Sequence, residues 1–204
     1  MSVIALPTGL QVHTFSMGQQ DFSLTFQNGD TGATQSRILA PARWTCTMSA
    51  NQTLGPVPAA TWRAFLLQLR GKTNQLAVYD LKNPTPKGTM AGSPTLTSAV
   101  AVGDTVINIT TAALATLLQG DWFQLGTGQS RQMFQVVTSA TASAGGAMSV
   151  TVEPPSRYAQ SSGSAVVWSQ PTCLMRRSDS STSWAASADA EGNFTVNLVE
   201  SWEP

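Results

Sequence analysis

Apolar and polar positions alternate with a period of two along most of this chain, and only once do they fall at helical spacing. Near the start, LQVHTFSM (10–17) and DFSLTFQ (21–27) read as two strands; in the second, Phe22, Leu24 and Phe26 alternate with polar neighbours. QNGDTGATQS (27–36) is dense in turn formers and predicts a mobile loop. RILAPARWTCTMSA (37–50) then reads as a strand with Pro41 marking a bulge or an edge. Within it Trp44, Cys46 and Met48 share one face, which points the Cys46 thiol at the core.

Helical spacing occurs in PVPAATWRAFLLQLRGK and predicts a helix over 58–70. Trp62, Phe65, Leu66 and Leu69 form its apolar stripe, while Arg63 and Arg70 lie seven apart on another face. Pro58 suits the first turn, where its missing N–H has no helical partner, and Gly71 suits the stop. One amphipathic helix cannot bury itself, so its stripe must lie on a sheet built by flanking strands such as NQLAVYDL (74–81).

The stretch from about 88 to 170 reads as self-contained. After a Pro- and Gly-rich linker come six short runs: SAVAVG, DTVINIT, DWFQLG, RQMFQVV, MSVTVEP and SAVVWS. Residues 112–118 suggest one helical turn. Such spacing predicts a small closed or half-closed barrel. Residues 171–204 hold a strand at PTCLMRR, a flexible-looking SDSSTSWAASADAEG, and a last alternating strand in which Phe194, Val196 and Leu198 share a face. Too short to fold alone, this segment is expected to complete the first sheet. The expected domains are therefore 1–87 plus 171–204, with 88–170 inserted between them.

Composition narrows the chemistry. In 204 residues, 42% are hydrophobic and only 11% charged, with 11 basic residues against 11 acidic. Zero net charge gives no general pull toward nucleic acid or anionic membranes. No apolar run is long enough to predict a membrane-spanning helix, and MSVIALPTGLQ lacks the basic and apolar regions of a signal peptide. With two cysteines, Cys46 and Cys173, and one histidine, His13, no zinc-ligand spacing arises. A reducing compartment and two buried free thiols are expected. There is no G-x-S-x-G, Walker A loop or G-x-G-x-x-G. Asp104 and Asp121 each follow a glycine, where turn formation explains them. No carboxylate pair is singled out, so no catalytic, cofactor-binding or metal residue is named.

Charge is segregated even though it sums to zero. Residues 37–87 hold Arg37, Arg43, Arg63, Arg70, Lys72, Lys82 and Lys87 against Asp80 alone. Residues 179–204 hold Asp179, Asp189, Glu191, Glu200 and Glu203 with no base. Either the two segments neutralise each other within one sheet, or a basic face on one subunit meets an acidic face on the next. The second alternative makes Arg63, Arg70, Glu200 and Glu203 candidate subunit-interface residues.

The middle stretch also resembles a known family. Gly120, Asp121, Trp122, Phe123, Gln124 and Leu125 are similar to a gly-asp-aromatic strand in the inserted domain of distal tail proteins from long-tailed bacteriophages. Phe134, Val136 and Val137 match the following strand, and Val150, Val152, Pro154 and Arg157 the last. AFLLQLRG upstream extends the likeness to residues 60–158, although QGD replaces the more usual Ala-Gly-Asp and the 138–147 turn lacks the usual acidic residues. The resemblance implies a mainly β fold: a tail-tube-like β-sandwich with one flanking helix, interrupted by an inserted OB-like barrel. It further implies a structural virion protein rather than an enzyme, made in the host cytoplasm. Such a protein would form a hexameric ring, without cofactors, that joins the tail tube protein to hub, tip or receptor-binding proteins. DNA would only pass through the bore, and no membrane insertion is implied. The contrasting expectation is a carbohydrate-binding module in host recognition using exposed Trp122, Trp168 or Trp184.

Overall fold

Alternation along the strands builds two main sheets, each with its own core. The computed structural model describes residues 2–51, 53–186 and 191–201. In chain order its elements are β1 (Val3–Ala5), β2 (Thr14–Gln27), β3 (Thr34–Ser49), helix α1 (Pro56–Gln68), β4 (Gln75–Val78), β5 (Thr95–Leu96), β6 (Val106–Thr110) and β7 (Thr116–Leu117). They continue with β8 (Trp122–Leu125), β9 (Gln132–Thr138), β10 (Ala140–Thr141), β11 (Ala147–Glu153), β12 (Cys173–Arg177), β13 (Ala185–Ala186), β14 (Glu191–Gly192) and β15 (Thr195–Glu200). The fold is mainly β, with one α-helix among the described residues.

The first sheet has the order β1-β4-β12-β15-β3-β2. Its register places Trp44, Cys46 and Met48 beside Leu198 and Val196, and Leu76 beside Ile4 and Met175, all on one buried face. Helix α1 lies on that face through Ala59, Trp62, Phe65, Leu66 and Leu69, with Trp62 stacked 6.0 Å from Phe194. The helix starts at Pro56, two residues before the expected Pro58, because a proline at the first helical position loses no hydrogen bond. It ends at Gln68, and the left-handed turn begins at Arg70 (φ 47°) and continues through Gly71 (φ 60°). Arg70 therefore lies beyond the helix.

The second sheet, β5-β6-β11-β9-β8, curls into a half-barrel around Ile107, Ile109, Phe123, Phe134, Val150 and Val152. All of its strands lie between residues 95 and 153, whereas the first sheet draws only on strands before 79 and after 172.

Several local expectations change. LQVHTFSM and DFSLTFQ are not two strands: from Thr14 onward they fuse into β2, because β3 pairs with it continuously enough to carry the chain through. The long loop contracts to 28–33, closed by the Asn28 side chain accepting the Asp30 amide at 2.8 Å and by the Asn28 amide donating to Ala33. Pro41 does mark a bulge. Three steps along β2 from Gln20 to Ser23 face five along β3 from Arg43 to Ile38. SAVAVG and SAVVWS form isolated bridges rather than strands, although Val100 and Val166 still fill the barrel core. Residues 112–118 give no helical turn; they lead into β7, which pairs with β10.

Candidate functional site

Two features stand out: the seam that joins the sheets, and a hairpin arm that leaves them.

The seam forms where Trp122 and Met133 of the barrel join the core of the first sheet. Trp122, on the barrel's β8, turns away from the barrel and packs edge-on against Trp44 at 4.9 Å, while its neighbour Phe123 stacks on Phe134 inside. The Trp44 indole donates to the Met133 carbonyl at 3.0 Å, and the Trp122 indole donates to Asp80 at 3.1 Å. Gln75 and Gln129 exchange amide hydrogen bonds across the boundary. At the end of β15, Glu200 is buried on the core face and ion-paired to Arg157 from the barrel. It also accepts the Trp44 backbone N–H at 3.0 Å, while Arg157 donates to the Ala42 carbonyl at 3.1 Å. Burial pushes the Glu200 carboxyl upward against the opposing pull of Arg157, and the guanidinium keeps the site neutral overall.

The linker is fastened in the same region. Asp121, 2% exposed, accepts backbone N–H groups from Lys87, Gly88 and Leu118. The turn expected at Asp121 is present, and its carboxylate does more, pinning the entering chain to the barrel. Gly88 is required here because a Cβ would lie 2.2 Å from the Thr116 carbonyl.

The arm is the distal part of the β2–β3 hairpin. Strand β15 covers β3 only from Thr45 to Ser49, and β2 is the outermost strand of its sheet. Among the described residues, the hairpin beyond the bulges is therefore a two-stranded ribbon with both edges open. Its ladder runs unbroken from Ser23↔Ile38 to Gln27↔Thr34. Cross-strand pairing puts Leu24 beside Arg37 and Phe26 beside Gln35 on one face. Leu24 is 43% and Phe26 59% exposed. At the arm's base, a groove of about 890 Å³ opens between hairpin and barrel, walled by Phe22, Ile38, Leu39, Val102 and Pro155. Asp21 and Glu153 share its rim, and burial together with the Asp21 charge raises the Glu153 carboxyl above the usual range.

The structure distributes the expected interface residues differently from the charge pattern. Glu200 is not on an acidic outer face: it is buried and occupied by Arg157 and Trp44 within the chain. Arg63 is half-buried on α1 and Arg70 is exposed past its end. Glu203 lies outside the described residues, as do Asp189 and the side chain of Glu191. Of the three tryptophans considered for stacking on sugar, Trp122 is 6% exposed and belongs to the seam. Trp168 is half-buried and donates to the Gly92 carbonyl, and Trp184 is exposed. Sequence reasoning missed the seam residues Asp80, Gln75 and Arg157; an Asp alone among seven cations was the available signal for the first.

Cys46 and Cys173 are free and buried, as expected. Burial pushes the Cys46 thiol up to about 12 and Cys173 well above its ordinary value, so both are neutral and poor nucleophiles. Among the described residues there is no cluster of three metal-ligating side chains and no helix long and apolar enough to cross a membrane. No family profile matches this chain, and no curated protein matches it.

Proposed function

We propose that this chain is a structural virion protein of a tailed phage, forming a hexameric distal tail ring between the tail tube and the baseplate or tip. The observation that carries the reading is the arm: a β-ribbon whose apolar face, Leu24 and Phe26, finds no cover among the described residues. Exposed apolar strips on an open-edged ribbon are surfaces for another protein. The seam complements it. A barrel locked to the sheet by buried polar bonds behaves as one rigid block, which suits a part that must transmit contacts from one neighbour to the next. The kind of assembly comes from the resemblance over residues 60–158. Burial of Trp122 leaves the carbohydrate-binding alternative with Trp184 as its exposed ring.

Native mass measurement and electron microscopy of the full chain, alone and with a tail tube protein, test this reading. A closed ring of six is expected. Persistent monomers under both conditions, or open chains, overturn it.

A further inference from the structure

The ring reading leaves open which surfaces meet, and the arm and groove answer that. We propose that the distal half of the β2–β3 arm of one copy lies in the groove at the arm's base on the next copy. Leu24 and Phe26 then pack on the apolar walls and Arg37 meets Asp21 and Glu153. This inference rests on the ring reading for the number of copies, but not for the contact itself.

The arm cannot satisfy itself. Five consecutive residue pairs hold it extended for roughly 17 Å beyond the bulges. Leu24, Phe26 and Arg37 are absent from the walls of the groove that Phe22 and Ile38 line at its base. To reach that groove in its own chain, the ribbon would have to break its ladder. A two-stranded ribbon is marginal in water unless one face is covered, so the folded arm calls for a partner.

The chain carries the matching surface. The groove is mostly apolar, as the strip is, and it is lined by two acids, Asp21 and Glu153; burial first and then the Asp21 charge disfavour a charged Glu153. Two cations stand near the groove: Arg157 is held by Glu200, and Arg43 lies over the Phe22 ring at 5.5 Å. On the arm, the one ionisable group that shares the face of Leu24 and Phe26 is Arg37. Bringing that guanidinium to the groove relieves the carboxylate repulsion while the apolar strip is buried. A second copy is thus favoured over an unrelated partner because both halves, apolar fit and charge, are already present in one sequence. Donor and acceptor surfaces differ, so the contact is head-to-tail, and repetition closes a ring when its rotation divides the circle.

The test uses the full chain with two singly substituted forms, Phe26→Cys and Val102→Cys, mixed under mild oxidation. The native thiols are buried and stay out of the reaction. A reducible Phe26→Cys to Val102→Cys heterodimer is expected. A chain carrying both substitutions is expected to give a ladder. Arg37→Glu should weaken association about tenfold or more, and adding Glu153→Arg in the same chain should restore it. Unchanged thermal melting of each variant shows that its fold is intact. If the wild type and Arg37→Glu form equally stable rings without the heterodimer, the arm inference fails and the ring reading survives. Heterodimers that build only open chains leave the arm contact standing and end the ring. A wild type that stays monomeric both alone and with a tail tube protein, while the cysteine forms give no cross-link, overturns both.

Discussion

DFSLTFQ near the start and NFTVNLV near the end carry the same pattern, apolar at every second residue, yet they meet opposite fates. Phe194, Val196 and Leu198 are at most 2% exposed, whereas Leu24 and Phe26 stand 43% and 59% exposed. Strand β15 lies between β12 and β3 under helix α1, while β2 is the outermost strand and runs on past the end of its sheet. Alternation therefore marks an amphipathic ribbon without saying what covers it. Where the tertiary structure supplies the cover, the strand is core; where it does not, the apolar face stays exposed.

The largest effects are expected at the buried end of β15. Arg157→Ala leaves Glu200 buried without its cation and should cost about 3–5 kcal/mol, read by urea unfolding. The double replacement Arg157→Met with Glu200→Leu should recover much of that loss. If the single and double variants are equally unstable, the pair acts through packing rather than charge.

Phe194→Ala should cost about 3–5 kcal/mol of monomer stability, because a cavity opens beneath Trp62. The matching change on the exposed strand, Phe26→Ala, should stay within about 0.5 kcal/mol in the same assay. Equal losses at the two positions would erase the contrast between core strand and arm.

Smaller changes sharpen it. Trp122→Phe keeps most of the ring contact with Trp44 but removes the indole bond to Asp80. A loss of about 1–3 kcal/mol is expected in denaturant unfolding, since Asp80 is left short of one donor. Asp80 keeps the Lys82 and Asn83 bonds of its own turn, which places the loss toward the lower end.

The smallest effect is a pH dependence. In the monomer Glu153 has a raised folded-state pKa, so the folded chain holds that proton more tightly than the unfolded chain. Its contribution is fully present at acid pH and is lost as pH rises from the ordinary glutamate range through the raised value. Glu153→Gln should flatten that part of the stability profile. A profile unchanged by the substitution would place the slope on another group.

Much of the architecture was legible from local physics. The stripe of Trp62, Phe65, Leu66 and Leu69, the core faces of β3 and β15, and the bulge at Pro41 all follow from side-chain period and backbone chemistry. The candidate site was less legible. Leu24 and Phe26 were visible as an apolar face, but their exposure depends on β2 standing at the sheet edge. Glu200 counted as one more charge in an acidic tail; its burial follows from β15 pairing between β12 and β3, which carries the carboxylate under the barrel to meet Arg157.

By itself, the sequence determined which residues are amphipathic, where the chain turns, and that strands rather than helices would dominate, because these depend on neighbours a few positions away. Only the tertiary structure decided which apolar faces are covered and which charges are cancelled. Those depend on residues as distant along the chain as Trp44 and Glu200, and no local period encodes a contact between them.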